Sequence, residues 1–179
     1  MESQPDRQRS WGVSLFCDDI RQEVGNKMSL MGLYQADMIF QNDFPLIIPR
    51  FGILVRYFET KGAFSEDVIL KVFLPGDDPE QPTVNQLINR PEMNSAAKPY
   101  ELDPEMEALV SLRVPMMFSP LQIKCEGFIK VRMYCGQVVT KLGALRVRKI
   151  REGEVIPNAS IASQQPSSRS QTASQATPT

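Results

Sequence analysis

Five carboxylates of this 179-residue chain fall in two turn-like stretches. Asp18, Asp19 and Glu23 lie in LFCDDIRQEVGNKMSLMGLY, and Asp77 and Asp78 in PGDDP. Oxygen ligands gathered from loops at one end of a β domain are what a hard cation such as calcium needs. These residues are therefore the candidate metal ligands, and a divalent-cation-dependent module or enzyme is one reading. The plainer reading is structural. Aspartates at strand ends bond their own backbone in Asx-type turns, Arg21 and Lys27 are close enough to neutralise them, and Gly25-Asn26 suits a hairpin turn. This plainer reading is preferred, so no metal and no cofactor are expected.

A second group is basic. From Lys124 to Arg151 the chain carries eight basic residues against one acidic residue, Glu126, although the whole chain has a net charge of -1. Lys130, Arg132, Lys141, Arg146 and Arg148 fall on the outer face of a final hairpin and are the candidate anion-binding residues. A solvated sheet face that discourages strand-to-strand aggregation is the preferred explanation. The usual stacking aromatics are thin there, with Tyr134 and Phe128 the neighbours, which disfavours nucleic acid as a partner.

The chain has no histidine and three cysteines, Cys17, Cys125 and Cys135. A Ser-His-Asp triad, a Cys-His dyad and a histidine-ligated metal are thereby excluded. An odd, sparse cysteine set without CxxC spacing fits reduced thiols rather than disulfides or structural zinc. Cys17, beside two carboxylates, should be a poor thiolate and a better small buried hydrophobe.

The elements that must hold these residues read as strands. A hydrophobic content of 42% is that of a globular domain. No apolar run reaches membrane-spanning length and the polar N-terminus lacks a secretory h-region, so a cytoplasmic location is expected. Residues 1–10 read as a mobile N-terminal arm, 11–154 as the folded domain, and 155–179 as a disordered Ser/Gln/Thr/Pro tail. Within the domain, Val13, Leu15 and Cys17 alternate with Ser14, Phe16 and Asp18. Residues 28–40 read as one long strand with Gly32 as a bulge or close-approach site.

Residues 44–49 form a proline-punctuated crossing. Strands follow over 51–60 and 67–74, separated by Lys61-Gly62. Thr83–Ile88 suits either a helical turn or an edge strand, and Arg90–Pro99 reads as loop. Pro115 places 109–118 at a sheet edge. Met116-Met117-Phe118 reads mainly as core, with an adaptable partner contact as the alternative. The closing hairpin pairs 127–136 with 138–150 around a Cys135-Gly136 turn. Ile129, Val131 and Met133 face inward. An extra residue near Leu142-Gly143 is required if Leu145 and Val147 are to point inward too. About seven short strands and no long amphipathic helix predict an all-β antiparallel β-sandwich, immunoglobulin-like or C2-like.

The opening stretch also resembles the signature of a bacterial family of uncharacterised proteins, a domain of unknown function. Its pattern is close to F-C-D-D-[IV]-R-x-E-x-G-x-K-x-S-L-x-G-x-Y, carried here by Phe16, Cys17, Asp18, Asp19, Ile20, Arg21, Glu23, Gly25, Lys27, Ser29, Leu30, Gly32 and Tyr34. Glu126-Gly127-Phe128 through Gly136 to Leu145-Arg146-Val147 is similar to the family's closing hairpin. The resemblance implies a bacterial or phage origin and one small β domain, and no activity. The expectation is a non-catalytic binding or assembly module, not an enzyme and not a membrane protein. Its partner is an unknown protein or a second copy.

Overall fold

The computed structural model describes residues 10–91 and 109–154. The expected arm before Ser10, the tail at 155–179 and most of the expected loop from Arg90 to Pro99 lie outside them. Twelve strands occupy the described residues. They are β1 (Ser10–Cys17), β2 (Asp19–Glu23), β3 (Lys27–Met31), β4 (Asp37–Phe40), β5 (Leu46–Ile48), β6 (Phe51–Thr60), β7 (Val68–Phe73), β8 (Val84–Ile88), β9 (Leu109–Phe118), β10 (Leu121–Ile123), β11 (Gly127–Cys135) and β12 (Val138–Lys149). The protein is all-β. Its strands outnumber the seven expected because the chain breaks its pairing at Gly32 and at its prolines, leaving β3, β4, β5 and β10 as separate short pieces.

The two larger sheets run β1-β6-β9 and β4-β12-β11-β7-β8, with small ribbons β2-β3 and β5-β10 beside them. Every pairing is antiparallel except β4 with β12, which is parallel. The inward residues of both larger sheets form one core. Ile53, Val55 and Tyr57 of β6 meet Leu70 and Val72 of β7, Ile129, Val131 and Met133 of β11, and Leu145 and Val147 of β12. Each large apolar side chain so buried contributes roughly 1.5–3 kcal/mol.

The inward face of β1 departs from its hydrophobic pattern. Ser10, Ser14 and Phe16 are buried, whereas Val13 is 44% exposed. Small residues face inward because β12 approaches too closely for larger ones. A Cβ on Gly12 would lie 2.7 Å from Leu142 Cδ2, and one on Gly143 would lie 3.5 Å from Ser14 Cβ.

The expected single strand over 28–40 is two strands. Gly32 adopts φ +65°, and a Cβ there would lie 1.9 Å from Asp18 Oδ2. It is thus a close-approach site, and the chain turns there before starting β4. Residues 84–88 form an edge strand, and β9 lies at an edge as Pro115 required. In the closing hairpin the turn residues are Gly136-Gln137, because Cys135 pairs with Val138. The turn therefore sits one residue later than expected, with Gly136 supplying the positive φ of 54°. The irregularity near Leu142 is present. Val131 pairs with Gly143 and Arg132 with Lys141, so Leu142 is the extra residue, and Leu145 and Val147 do point inward.

Candidate functional site

The opening motif folds into a tight knot at the end of β1. Asp18 N donates to the Met31 carbonyl and Tyr34 N to the Phe16 carbonyl. The Tyr34 hydroxyl donates to Asp18 Oδ1 at 2.6 Å. Burial, with Asp18 adding to it, pushes the Tyr34 phenol well above its ordinary range. Asp19 accepts from Arg21 at 3.1 Å and from Arg50 at 2.7 Å. Ser29 donates to Glu23 at 2.9 Å, and Gly25 and Asn26 both take positive φ in the turn joining β2 to β3. Cys17 is fully buried against the Gly52 carbonyl. Burial first, then Asp18, pushes its thiol up, away from nucleophilic use.

The second acidic turn is equally self-contained. Asp77 Oδ2 accepts from Leu74 N, Thr83 N and Thr83 Oγ1, and Asp78 Oδ1 accepts from Glu80 N. Among the described residues, no three or more His, Cys, Asp or Glu side chains form a group placed to hold a metal. Asp18, Asp19 and Glu23 are thus not gathered with Asp77 and Asp78. Because these oxygens already serve protein donors, millimolar calcium is expected to leave the melting temperature unchanged. A dose-dependent rise, the mass-action signature of native-state binding, would assign the turns to a cation.

A buried ionic network lies among residues that sequence reasoning passed over. Glu59 is 1% exposed; it pairs with Arg90 and accepts the Tyr57 hydroxyl at 3.1 Å. Arg90 Nε donates to the Glu66 carbonyl at 2.9 Å, and its Nη2 lies 3.5 Å from Cys135 Sγ. Ser10 and Thr140 share a hydrogen bond of 2.7 Å nearby in the same interior. Burial raises the Glu59 carboxyl, while Arg90 and the Tyr57 hydroxyl pull it back down. Burial also raises the Tyr57 phenol and the Cys135 thiol. One signal for this site was present: a two-residue period along β6 puts Glu59 on the same side as Phe51, Ile53, Val55 and Tyr57.

The basic hairpin residues divide into two groups. Arg148 is committed, with Asp37 at 2.7 Å and Glu154 at 2.6 Å. This clamp holds the Glu154 carboxyl down at about 2. Arg132 turns its Nη1 onto the Val131 carbonyl at 2.8 Å and reaches Gly143 O at the irregular register. Lys130, Lys141 and Arg146 remain exposed on the outward side of the five-stranded sheet.

The outward side of the three-stranded sheet has a different composition. Its cross-strand rows are Trp11–Phe58–Ser111, Val13–Arg56–Arg113 and Leu15–Leu54–Pro115, with Met117 opposite Gly52. Trp11 is 36% and Met117 39% exposed. Trp11 stacks on Phe58 at 5.8 Å, and the Arg56 guanidinium sits 5.1 Å from the Phe58 ring centre. These rows hold aromatics, methionine and arginine, without lysine, aspartate or glutamate. The Met116-Met117-Phe118 run divides here, with Met116 and Phe118 packed on the core and Met117 facing out.

No protein-family model matches this chain, and no curated protein matches it in sequence.

Proposed function

We propose that this protein is a non-catalytic binding module that docks a protein partner on the outward face of β1-β6-β9. The observation that carries this reading is the composition of that face. Aromatics, Met and Arg are enriched at protein interfaces, while Lys, Asp and Glu are depleted, and energetically dominant positions favour Trp and Arg. The partner's chemistry follows from Arg56 and Arg113. They stand directly opposite each other, a repulsive cross-strand pair, and neither makes an ion pair among the described residues. A partner carboxylate set within an apolar surface would relieve that repulsion. A second copy docked face to face would bring two such arginine pairs together, so the partner is a different chain. Three of the groups with shifted titration, Glu59, Tyr57 and Cys135, are closed inside the core, which favours binding over catalysis for them.

The same reading takes the two facing sheets as an antiparallel β-sandwich of immunoglobulin-like or C2-like kind, in a cytoplasmic protein. The resemblance of residues 16–34 to an uncharacterised bacterial family is compatible with it and supplies no activity.

The test is quantitative capture from the source cells using the full chain as bait. Arg113→Glu is expected to cut capture of the specific partner by at least about tenfold while leaving the melting temperature within a few degrees. Native mass spectrometry should give the monomer mass for the purified chain. Capture unaffected by Arg113→Glu and Trp11→Ala together, or a stable homodimer, would overturn the assignment.

A further inference from the structure

We infer that the opposite face of the molecule, the outward side of β7, β11 and β12, is a platform for single-stranded nucleic acid. The hairpin alone shows too few aromatics for this. In the fold β7 lies beside β11, which brings Lys71 and Phe73 onto the same face. Tyr134 stands opposite Ile69 and Val139, Arg132 opposite Lys71 and Lys141, Lys130 opposite Phe73 and Ala144, and Phe128 opposite Arg146. The all-cation row Lys71–Arg132–Lys141 is therefore flanked by the Tyr134 row on one side and by Lys130 with Phe73 on the other.

The charge is segregated as well as dense. Lys130, Lys141 and Arg146 are exposed and make no ion pair among the described residues. The strands of this sheet carry one outward carboxylate, Asp37 at the β4 edge, and Arg148 already neutralises it. A chain of net charge -1 has thus collected uncompensated positive charge on one face of the sheet, which attracts polyanions.

The aromatics decide which polyanion. Phe128 is 48% exposed next to Arg146, and Lys71 Nζ lies 4.7 Å from the Tyr134 ring centre. An acidic peptide would need the cations but not the rings. A duplex keeps its bases stacked inside, beyond the reach of rings on a sheet surface. A single strand offers phosphates to the cations and unstacked bases to the rings. This inference concerns a different surface from the protein-docking face and does not depend on it.

The experiment is fluorescence anisotropy of a labelled oligothymidylate of about 20 nucleotides titrated with the full chain at low salt. Binding is expected to weaken steeply and log-linearly with added salt. Lys130→Gln with Lys141→Gln and Arg146→Gln should reduce affinity at least tenfold and flatten that salt slope. Phe128→Ala should cost about tenfold without changing the slope, as loss of one stacked base would. Unchanged circular dichroism and melting temperature would show that each variant remains folded. No binding at low salt would overturn the inference. So would equal binding of polyglutamate that is indifferent to Phe128→Ala, which would mark a surface for acidic protein instead.

Discussion

Arg90→Ala is expected to destabilise the protein by about 3–5 kcal/mol. For a domain of this size that is a fall in melting temperature of roughly 6–20 °C. The cause is the stranded partner. Glu59 has a side chain 2% exposed and Arg90 one 11% exposed, so removing the guanidinium leaves a carboxylate with neither water nor a counter-charge. The loss should depend on pH with a definite sign. Burial already raises the Glu59 carboxyl above its reference value of 4.5, with Arg90 opposing the rise. Without Arg90 the native state holds the proton still more tightly than the unfolded state. Below pH 4.5 the carboxyl is neutral in both states and the deficit is smallest. It grows as pH rises from the native value of the wild type to the higher native value of the variant, and it is complete above the latter. Denaturant melts of wild type and variant at pH 4 and pH 8 check this. The double variant Arg90→Ala/Glu59→Gln should recover part of the loss at pH 8, because the unpaired charge is gone.

Gly12→Ala should cost about 1–3 kcal/mol or somewhat more. An added Cβ would lie 2.3 Å from the Arg56 carbonyl oxygen and 2.7 Å from Leu142 Cδ2. The carbonyl belongs to the strand paired with β1 and cannot move without disturbing that ladder. The side chain of Leu142 is the extra residue of the β12 irregularity, seated between the two sheets. Trimming it with Leu142→Ala should therefore fail to rescue Gly12→Ala. Gly62→Ala is the control. Nothing lies within 4 Å of its added Cβ, and the remaining penalty is its φ of +77°, about 1–2 kcal/mol. Thermal melts of the three variants separate steric conflict from backbone strain.

These two sites mark where sequence reasoning worked and where it stopped. In the β11-β12 hairpin the extra residue was legible, because a strict two-residue period would have turned Arg146 and Arg148 into the core, while the turn fell one residue later than its composition suggested. β6 was legible to its ends, since ten residues of β-rich sequence were bounded by Pro49 and Lys61-Gly62. β1 misleads, because Trp11 and Val13 face out while Ser10, Gly12 and Ser14 face in. That arrangement follows from how closely β12 approaches, which the local sequence does not encode. The parallel pairing of β4 with β12 was hidden for the same reason.

The candidate sites divide similarly. The knot of Asp18, Asp19 and the β2-β3 turn was readable from its aspartates and Gly25-Asn26. Arg50 was not, and neither was Arg90. Each reaches its carboxylate across 31 residues, a distance over which spacing carries no information. The proposed docking face was invisible for a further reason: Trp11, Arg56, Phe58, Arg113 and Met117 come from three separated strands and share a surface only after pairing.

The central claim is that this face holds another protein, and site-specific photo-crosslinking in the source cells tests it most directly. A photo-reactive residue at Met117 should give one discrete crosslinked species. The same residue at exposed Glu80, in the turn between β7 and β8, should give none. Adding Arg113→Glu to the Met117 variant should abolish the product. A crosslink that survives Arg113→Glu, or equal products from both positions, would contradict the assignment of this face as the docking surface.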